Sequence, residues 1–331
     1  MPILLSVLVI TVVGLSLISV PVAADDSAIA SGVGTWKSTT SYPTPISVQS
    51  CVVSGGYVYC VGDYINGSPY ITNAVYFAKL SSSGVGTWKS TTSYPLALGY
   101  WSCVVSGGYV YCIGGYSEVS PYYYSAVYYA PLSSSGVGTW KSTTSYPTTI
   151  SDQSCVVSGG YIYCVGGSNG AYTNAVYFAK LSSGGVGTWT VTTSYPISIS
   201  YESCVVSGSY VYCVAGYNYV SPYYQSAVYF AKLSSGGVGT WTVTTSYPTP
   251  IYGESCVASK SYVYCVVGYN GAYTNAVYYA KLSSSGVGVW KVTTSYPINI
   301  YWPSCVVSKS YVYCVGGWNG ASTSAVYFAK L

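Results

Sequence analysis

The sequence predicts an all-β fold, a six-bladed β-propeller with four antiparallel strands per blade, and three observations carry that prediction. Six tryptophans, Trp36, Trp88, Trp140, Trp189, Trp241 and Trp290, recur at intervals of 52, 52, 49, 52 and 49 residues. Twelve cysteines fall into six pairs, each with eight residues between its members, at one fixed place in that period. Within every period lie four short β-rich runs separated by Gly, Ser and Asn. A repeat of this length with several strands is a unit that buries its apolar face only against neighbouring copies, the condition met by a propeller or an array.

The third copy shows the elements in order. Ser154 to Gly167 gives two runs around Gly159-Gly160, Ala175 to Leu181 gives a third, Gly187 to Thr193 a fourth, and Tyr195-Pro196 closes the unit. A two-residue turn at Gly159-Gly160 of the primed type sets Ser158 opposite Tyr161, Val157 opposite Ile162, Val156 opposite Tyr163 and Cys155 opposite Cys164. Counting from the turn puts the cysteines at a non-hydrogen-bonded pair, where side chains approach closest and a cross-strand bridge fits. The turn becomes Gly208-Ser209, Lys260-Ser261 and Lys309-Ser310 elsewhere without changing length. The expected bridges are therefore Cys51–Cys60, Cys103–Cys112, Cys155–Cys164, Cys204–Cys213, Cys256–Cys265 and Cys305–Cys314. A zinc site is the competing reading of paired cysteines, but the spacing lacks a close knuckle and the chain has no histidine. Twelve paired cysteines indicate an oxidising compartment.

Apolar runs such as Val52-Val53 and Ala74-Val75-Tyr76 are expected to join blade to blade. The repeats begin with a fourth run, Gly34 to Thr40, and stop at Leu331 after a third. The last blade is therefore expected to take its outer strand from the N-terminal side, which closes the ring. Residues 25–331 read as one propeller domain. Residues 1–24 read as an apolar N-terminal segment, either a signal peptide ending at Val22-Ala23-Ala24 or a retained hydrophobic anchor or helix. It is long enough to span a bilayer if retained, so membrane contact is expected only in that case.

The order of a Gly-Gly doublet after strand two, a tyrosine in strand three, a tryptophan in strand four and then Tyr-Pro resembles the kelch and galactose-oxidase-type β-propeller repeat. It stands here as Gly114-Gly115, Tyr128 and Trp140-x6-Pro147, and again as Gly166-Gly167, Tyr177 and Trp189-x6-Pro196. The doublet decays to Gly62-Asp63, Ala215-Gly216 and Val267-Gly268, and the arginine common after the proline in kelch repeats is missing. The resemblance implies a propeller and, because propellers host many functions, no particular activity. It also implies that the loops from strand four to strand one and those from strand two to strand three share one face.

Composition excludes several functions. All 11 basic residues are lysines and the net charge is +4 without a basic stripe, so no nucleic acid partner is expected. Without histidine, a copper site like that of galactose oxidase and Ser-His-Asp chemistry are both excluded. No metal and no cofactor are expected. Beyond Asp25 and Asp26 the acids are Asp63, Glu118, Asp152, Glu202 and Glu254, all in the two variable loop sets. Glu202 and Glu254 are the pair from which a glycosidase-like site would be built. One acid per loop reads more simply as polar decoration, and no catalytic residue is assigned.

Those loops differ most among the copies, whereas the Ser-Ser-Gly-Val-Gly turns of the opposite face hardly change. A scaffold requirement is uniform around a ring and binding is not. The candidate binding face therefore comprises Tyr64, Tyr100, Trp101, Tyr116, Tyr201, Glu202, Tyr252, Glu254, Tyr301, Trp302 and Trp318, whose rings suit sugars or protein partners. The 43 tyrosines fit equally a weakly charged β-rich surface with no ligand. Asn66-Gly-Ser68 is the one glycosylation pattern. Few charges, near-identical copies and the apolar N-terminus resemble archaeal surface and pilus proteins. The leading expectation is an extracellular structural or adhesive surface protein, self-associating as the subunit of a filament or other assembly. The alternative is a secreted lectin-like propeller that binds a glycan or a surface protein.

Overall fold

A computed structural model describes residues 32–68 and 70–331. The apolar segment 1–24, with its expected cleavage or retention, lies outside the described residues. In blade 3, Ser154–Ser158, Tyr161–Val165 and Val176–Ser182 form an antiparallel meander, and Thr190–Val191 lies along the third strand as an outer fourth. The hairpin register is the expected one, from Ser158 opposite Tyr161 to Cys155 opposite Cys164. It is fixed by Gly159 and Gly160 at φ 57° and 78°, a turn whose twist matches that of the strands it joins.

Six such blades close a ring. Their inner strands, Ser50–Ser54, Ser102–Ser106, Ser154–Ser158, Ser203–Ser207, Ser255–Ser259 and Ser304–Ser308, each touch the next, and the first also touches the last. Blade 6 takes its outer strand from the N-terminal side: Lys37–Ser38 pairs with Val326–Lys330, with Lys37 opposite Phe328 and Ser38 opposite Tyr327. Gly34 N donates to Lys330 O at 2.8 Å and Thr39 N to Val326 O at 3.0 Å, extending the seam beyond the two paired residues.

Each apolar cluster straddles two blades. Val104, Tyr111, Ile113 and Tyr129 of blade 2 pack with Ile162, Ala179, Leu181 and Trp189 of blade 3, and the pattern repeats around the ring. Polar staples accompany this packing. At the head of each inner strand a serine hydroxyl accepts the amide of the next blade's cysteine, from Ser50 Oγ with Cys103 N at 3.0 Å to Ser304 Oγ with Cys51 N at 2.9 Å. Farther out, the Ser-Tyr-Pro tyrosine meets the next blade's tryptophan edge-on at 4.9 Å, as in Tyr94–Trp140. The indole N–H of that tryptophan donates to a threonine carbonyl of the preceding blade, Trp140 Nε1 to Thr92 O at 3.2 Å. A net hydrogen bond contributes about 1 kcal/mol and an aromatic pair about 0.5–1.5 kcal/mol. Repeated at six seams, such staples make the ring cooperative.

All six disulfides lie within their own hairpins, with Cα separations of 4.0 or 4.1 Å, and no cysteine is free. Each closes only a short segment, so replacing one pair with alanines is expected to cost about 2–3 kcal/mol. Because the constraint is local, any of the six pairs should cost about the same in urea unfolding. A much larger loss at one pair would mean that its bridge holds blade against blade.

Candidate functional site

The two loop sets do share one face. The residue three places before each inner strand, Ser47, Gly99, Ser151, Ser200, Tyr252 or Tyr301, makes a β-bridge to Tyr64, Tyr116, Ser168, Tyr217, Tyr269 or Trp318 of the strand-two-to-three loop. The next residue then turns to the axis. Val48, Tyr100, Asp152, Tyr201, Gly253 and Trp302 all have φ between 54° and 67°. Backbone bonds tie several of them into a collar: Asp152 N to Tyr100 O at 2.7 Å, Tyr201 N to Asp152 O at 3.2 Å, Trp302 N to Gly253 O at 2.8 Å.

One position further on, Gln49, Trp101, Gln153, Glu202, Glu254 and Pro303 dip into the seams between blades. Gln49 Nε2 donates to Val315 O at 2.6 Å, Gln153 Nε2 to Ile113 O at 2.8 Å and Trp101 Nε1 to Val61 O at 3.2 Å, each to a carbonyl of the preceding blade's second strand. The twelve residues of collar and seams line an axial well of about 150 Å³. Below it on the axis runs a separate apolar channel of about 360 Å³, lined by the paired valines of the inner strands and Ala258.

Trp302 roofs the well. It comes from blade 6, diametrically opposite Asp152 of blade 3, yet its ring meets both neighbours of Asp152: Tyr100 at 5.7 Å edge-on and Tyr201 at 5.6 Å. The indole therefore crosses the axis. Gly253 permits this, since a methyl group there would come within 2.7 Å of the Trp302 ring. Tyr301 stacks on Trp302 at 4.2 Å, and Tyr252 joins Tyr201 at 5.7 Å, Tyr301 at 6.0 Å and Trp302 at 6.2 Å. Tyr64 and Tyr116 form an outer tier, stacked on Tyr70 and Tyr122 of their own loops, and Trp318 meets Tyr64 edge-on at 6.0 Å.

The acids stand in unusual surroundings. Burial pushes the Asp152 carboxyl up to about 7, partly offset by hydrogen bonds from Ser151 Oγ, at 2.6 Å, and Tyr201. Glu202 and Glu254 are raised well above the ordinary carboxyl range, first by burial. Backbone amides near them soften this, but no carboxyl oxygen of either has a hydrogen-bond partner of ordinary geometry. Burial likewise raises the Tyr100, Tyr201 and Tyr301 phenols, so they stay neutral donors at any ordinary pH.

Of the residues expected on the face, Tyr64, Tyr100, Tyr116, Tyr201, Tyr252, Tyr301, Trp302 and Trp318 are half-buried with part of each ring presented. Trp101 corrects the expectation: it is 6 % exposed, packed against Tyr94 at 4.4 Å, and serves a seam rather than a stacking surface. Glu202 and Glu254 are also buried, for the same positional reason. Asn66 is exposed, but Nδ2 donates to Ser322 O and Oδ1 accepts from Ser322 N, so a sugar on Nδ2 would compete with a loop clamp. Sequence reasoning placed Gln49, Gln153, Tyr217 and Tyr224 in the variable loops without singling them out; the glutamines prove to be seam and well residues, and the two tyrosines extend the aromatic patch from Tyr252 at 5.3 and 5.5 Å. Alignment of the six copies would have found the glutamines, because they share the repeat position of the glutamates. Among the described residues no group of three or more His, Cys, Asp or Glu could hold a metal ion.

No curated protein matches the chain. Among solved structures it is similar to one described as "Structure of YjhT", with a TM-score of 0.70 at 12% identity, covering 86% of this chain and 95% of that one, a likeness of fold alone. Residues 100–317 match the KLHDC2/KLHL20/DRC7 Kelch-repeats domain. With four-stranded blades, a closing N-terminal strand and that match over most of its length, the chain belongs to this kelch-repeat family.

Proposed function

We propose that this propeller is an extracellular recognition module that binds a carbohydrate on its tyrosine-rich face, above the axial well. The observation that carries the reading is the unbroken run of ring contacts from Tyr100 through Trp302 and Tyr252 to Tyr217, gathered on one face of an otherwise repetitive ring. Flat rings with polar edges offer a sugar both stacking area and hydrogen bonds. The intrablade disulfides support placement in an oxidising compartment. Catalysis is not part of the reading: Glu202 and Glu254 are both pushed upward, whereas a glycosidase pair needs environments that drive its two carboxyls apart.

A glycan array tests it. Selective binding by the native protein should fall at least about tenfold in Trp302→Ala, which removes the roof and leaves the seams intact. No glycan bound, or binding indifferent to Trp302, would overturn the reading. The surface-assembly expectation keeps one specific observation in its favour. Val191, Val243 and Val292 lie 60–67 % exposed on the outer strands of blades 3 to 5, where blades 1, 2 and 6 carry serine. Sedimentation that shows regular self-association, lost when these valines become serine, would favour that reading instead.

A further inference from the structure

We propose that the axial well takes a primary ammonium group of the ligand, with the side-chain oxygens of Gln49, Gln153, Glu202 and Glu254 and the Asp152 carboxyl as its acceptors and Trp302 as its apolar wall. This rests on the reading of the same face as the recognition surface and specifies the chemistry recognised there.

The inference comes from counting donors and acceptors. Gln49 and Gln153 are 6 % and 5 % exposed, and each spends its amide N–H₂ on a carbonyl of the preceding blade. That leaves Gln49 Oε1 and Gln153 Oε1 buried, lining the well, with no hydrogen-bond partner. Glu202 and Glu254 stand at the same repeat position, also buried and lining the well, their oxygens near backbone amides but in no hydrogen bond of ordinary geometry. A buried acceptor left unmade costs about 1–3 kcal/mol, so four such side chains around one small well need a common donor. The well's own donors fall short of this number: Trp101 Nε1 is committed to Val61 O, the Tyr201 hydroxyl to Asp152, no lysine lines the space, and beside the backbone amides near the glutamates only the Tyr100 hydroxyl and the Trp302 indole N–H are left.

An ammonium head answers this deficit, since it brings three N–H donors, no acceptor and a positive charge. Trp302, with Tyr100 and Tyr201 at its sides, supplies the ring face to which a cation is drawn. The groups facing Asp152 are Tyr100, Tyr172, Tyr201 and Glu202, none of them cationic. Ionisation of Asp152 therefore finds its countercharge in the ligand. Since its carboxyl titrates near 7, binding should strengthen as pH rises through that value while the alkylammonium stays charged.

The probe is propylammonium titrated into the full chain, followed by Trp fluorescence and ligand NMR, with 1-propanol as the isosteric control. The expected result is saturable propylammonium binding at pH 8.5, about tenfold weaker at pH 5.5, weakened likewise in Asp152→Asn, and no saturable binding of propanol. Absence of saturation, or equal binding of propanol, would show that water serves these oxygens and overturn the inference. Should Asp152→Asn fail to fold, the pH profile and the propanol control still decide. Two sources carry the group, an amino sugar and a lysine side chain, and a glucosamine tetramer compared with a lysine-containing peptide separates them. Tighter binding of the tetramer upholds both inference and carbohydrate reading; preference for the peptide upholds the ammonium site and overturns the carbohydrate; a neutral glycan bound through Trp302 without any amine response overturns the ammonium site alone.

Discussion

Changing both Glu202 and Glu254 to glutamine should stabilise the propeller at neutral pH and remove a pH dependence that the native protein has. At the same repeat position Gln49 and Gln153 donate N–H to the strand-two carbonyls of Val315 and Ile113. Glu202 occupies the equivalent seam, close enough to Gly166 that a methyl group there would lie 2.9 Å from its Oε1. A carboxylate has only acceptors to offer a carbonyl, and a protonated carboxyl has a donor. The ionisable neighbours are Glu254, Asp152, Tyr146 and Tyr195 for Glu202, and Glu202, Tyr195 and Tyr247 for Glu254, all neutral or acidic. With both folded-state values raised above the ordinary 4.5, the native protein holds more protons than the unfolded chain between that value and its own. Stability is therefore fully present below about 4.5 and declines as pH rises through the folded-state values. The double variant should match the native protein near pH 4 and be the more stable of the two at pH 8, because glutamine has no proton to lose over that interval. Urea midpoints at pH 4, 6 and 8 measure this, and parallel pH profiles for the two proteins would refute it.

The second large effect is expected at Gly62, where Gly62→Val should cost about 3–5 kcal/mol. Its φ is 62°, and a Cβ there would sit 2.1 Å from Trp101 Cζ2 and 2.8 Å from Leu98 O. Glycine alone lets the indole lie flat on the backbone. Positive φ is not itself the obstacle, because Ala215 and Val267 hold φ 52° and 58° at the same repeat position. What differs is the partner: Val267 belongs to the seam that Pro303 enters, and Trp302 before that proline has φ 57°, matching Tyr100 before Trp101 at 59°. In a Trp101→Pro background, Gly62→Val should therefore cost no more than about 1–2 kcal/mol. Additive costs would show that the backbone, and not the indole, forbids the side chain.

The fold was legible because its signals are local and repeated. Spacing of the tryptophans gave the blade count, and the Gly159-Gly160 turn gave the cysteine register by counting alone. Residues 34–40 could be placed on the last blade because a strand without partners must find some. The site was legible only as a face. Tyr100 and Trp101 are neighbours in sequence, yet a residue at φ 59° sends one ring to the axis and the next into a seam. Alternation along a strand does not forecast that switch, so Trp101, Glu202 and Glu254 were assigned to the surface. Trp302 over Asp152 could not be read either, since opposite blades meet only when the ring closes.

The six seam pairs bear on how such a chain avoids assembling wrongly. Near-identical tandem units invite a ring that skips a blade or exchanges one with a second molecule. Here Gly62 receives Trp101, Gly114 Gln153, Gly166 Glu202 and Gly316 Gln49, while Ala215 precedes Glu254 and Val267 precedes Pro303. Were blade 2 docked on blade 5, its indole would strike the Val267 side chain; were blade 6 docked on blade 1, Pro303 would leave the indole's place empty and Val61 O without its donor. Differences that look like drift between copies thus work as keys at the two seams where they are largest, matching Trp101 to Gly62 and Pro303 to Val267.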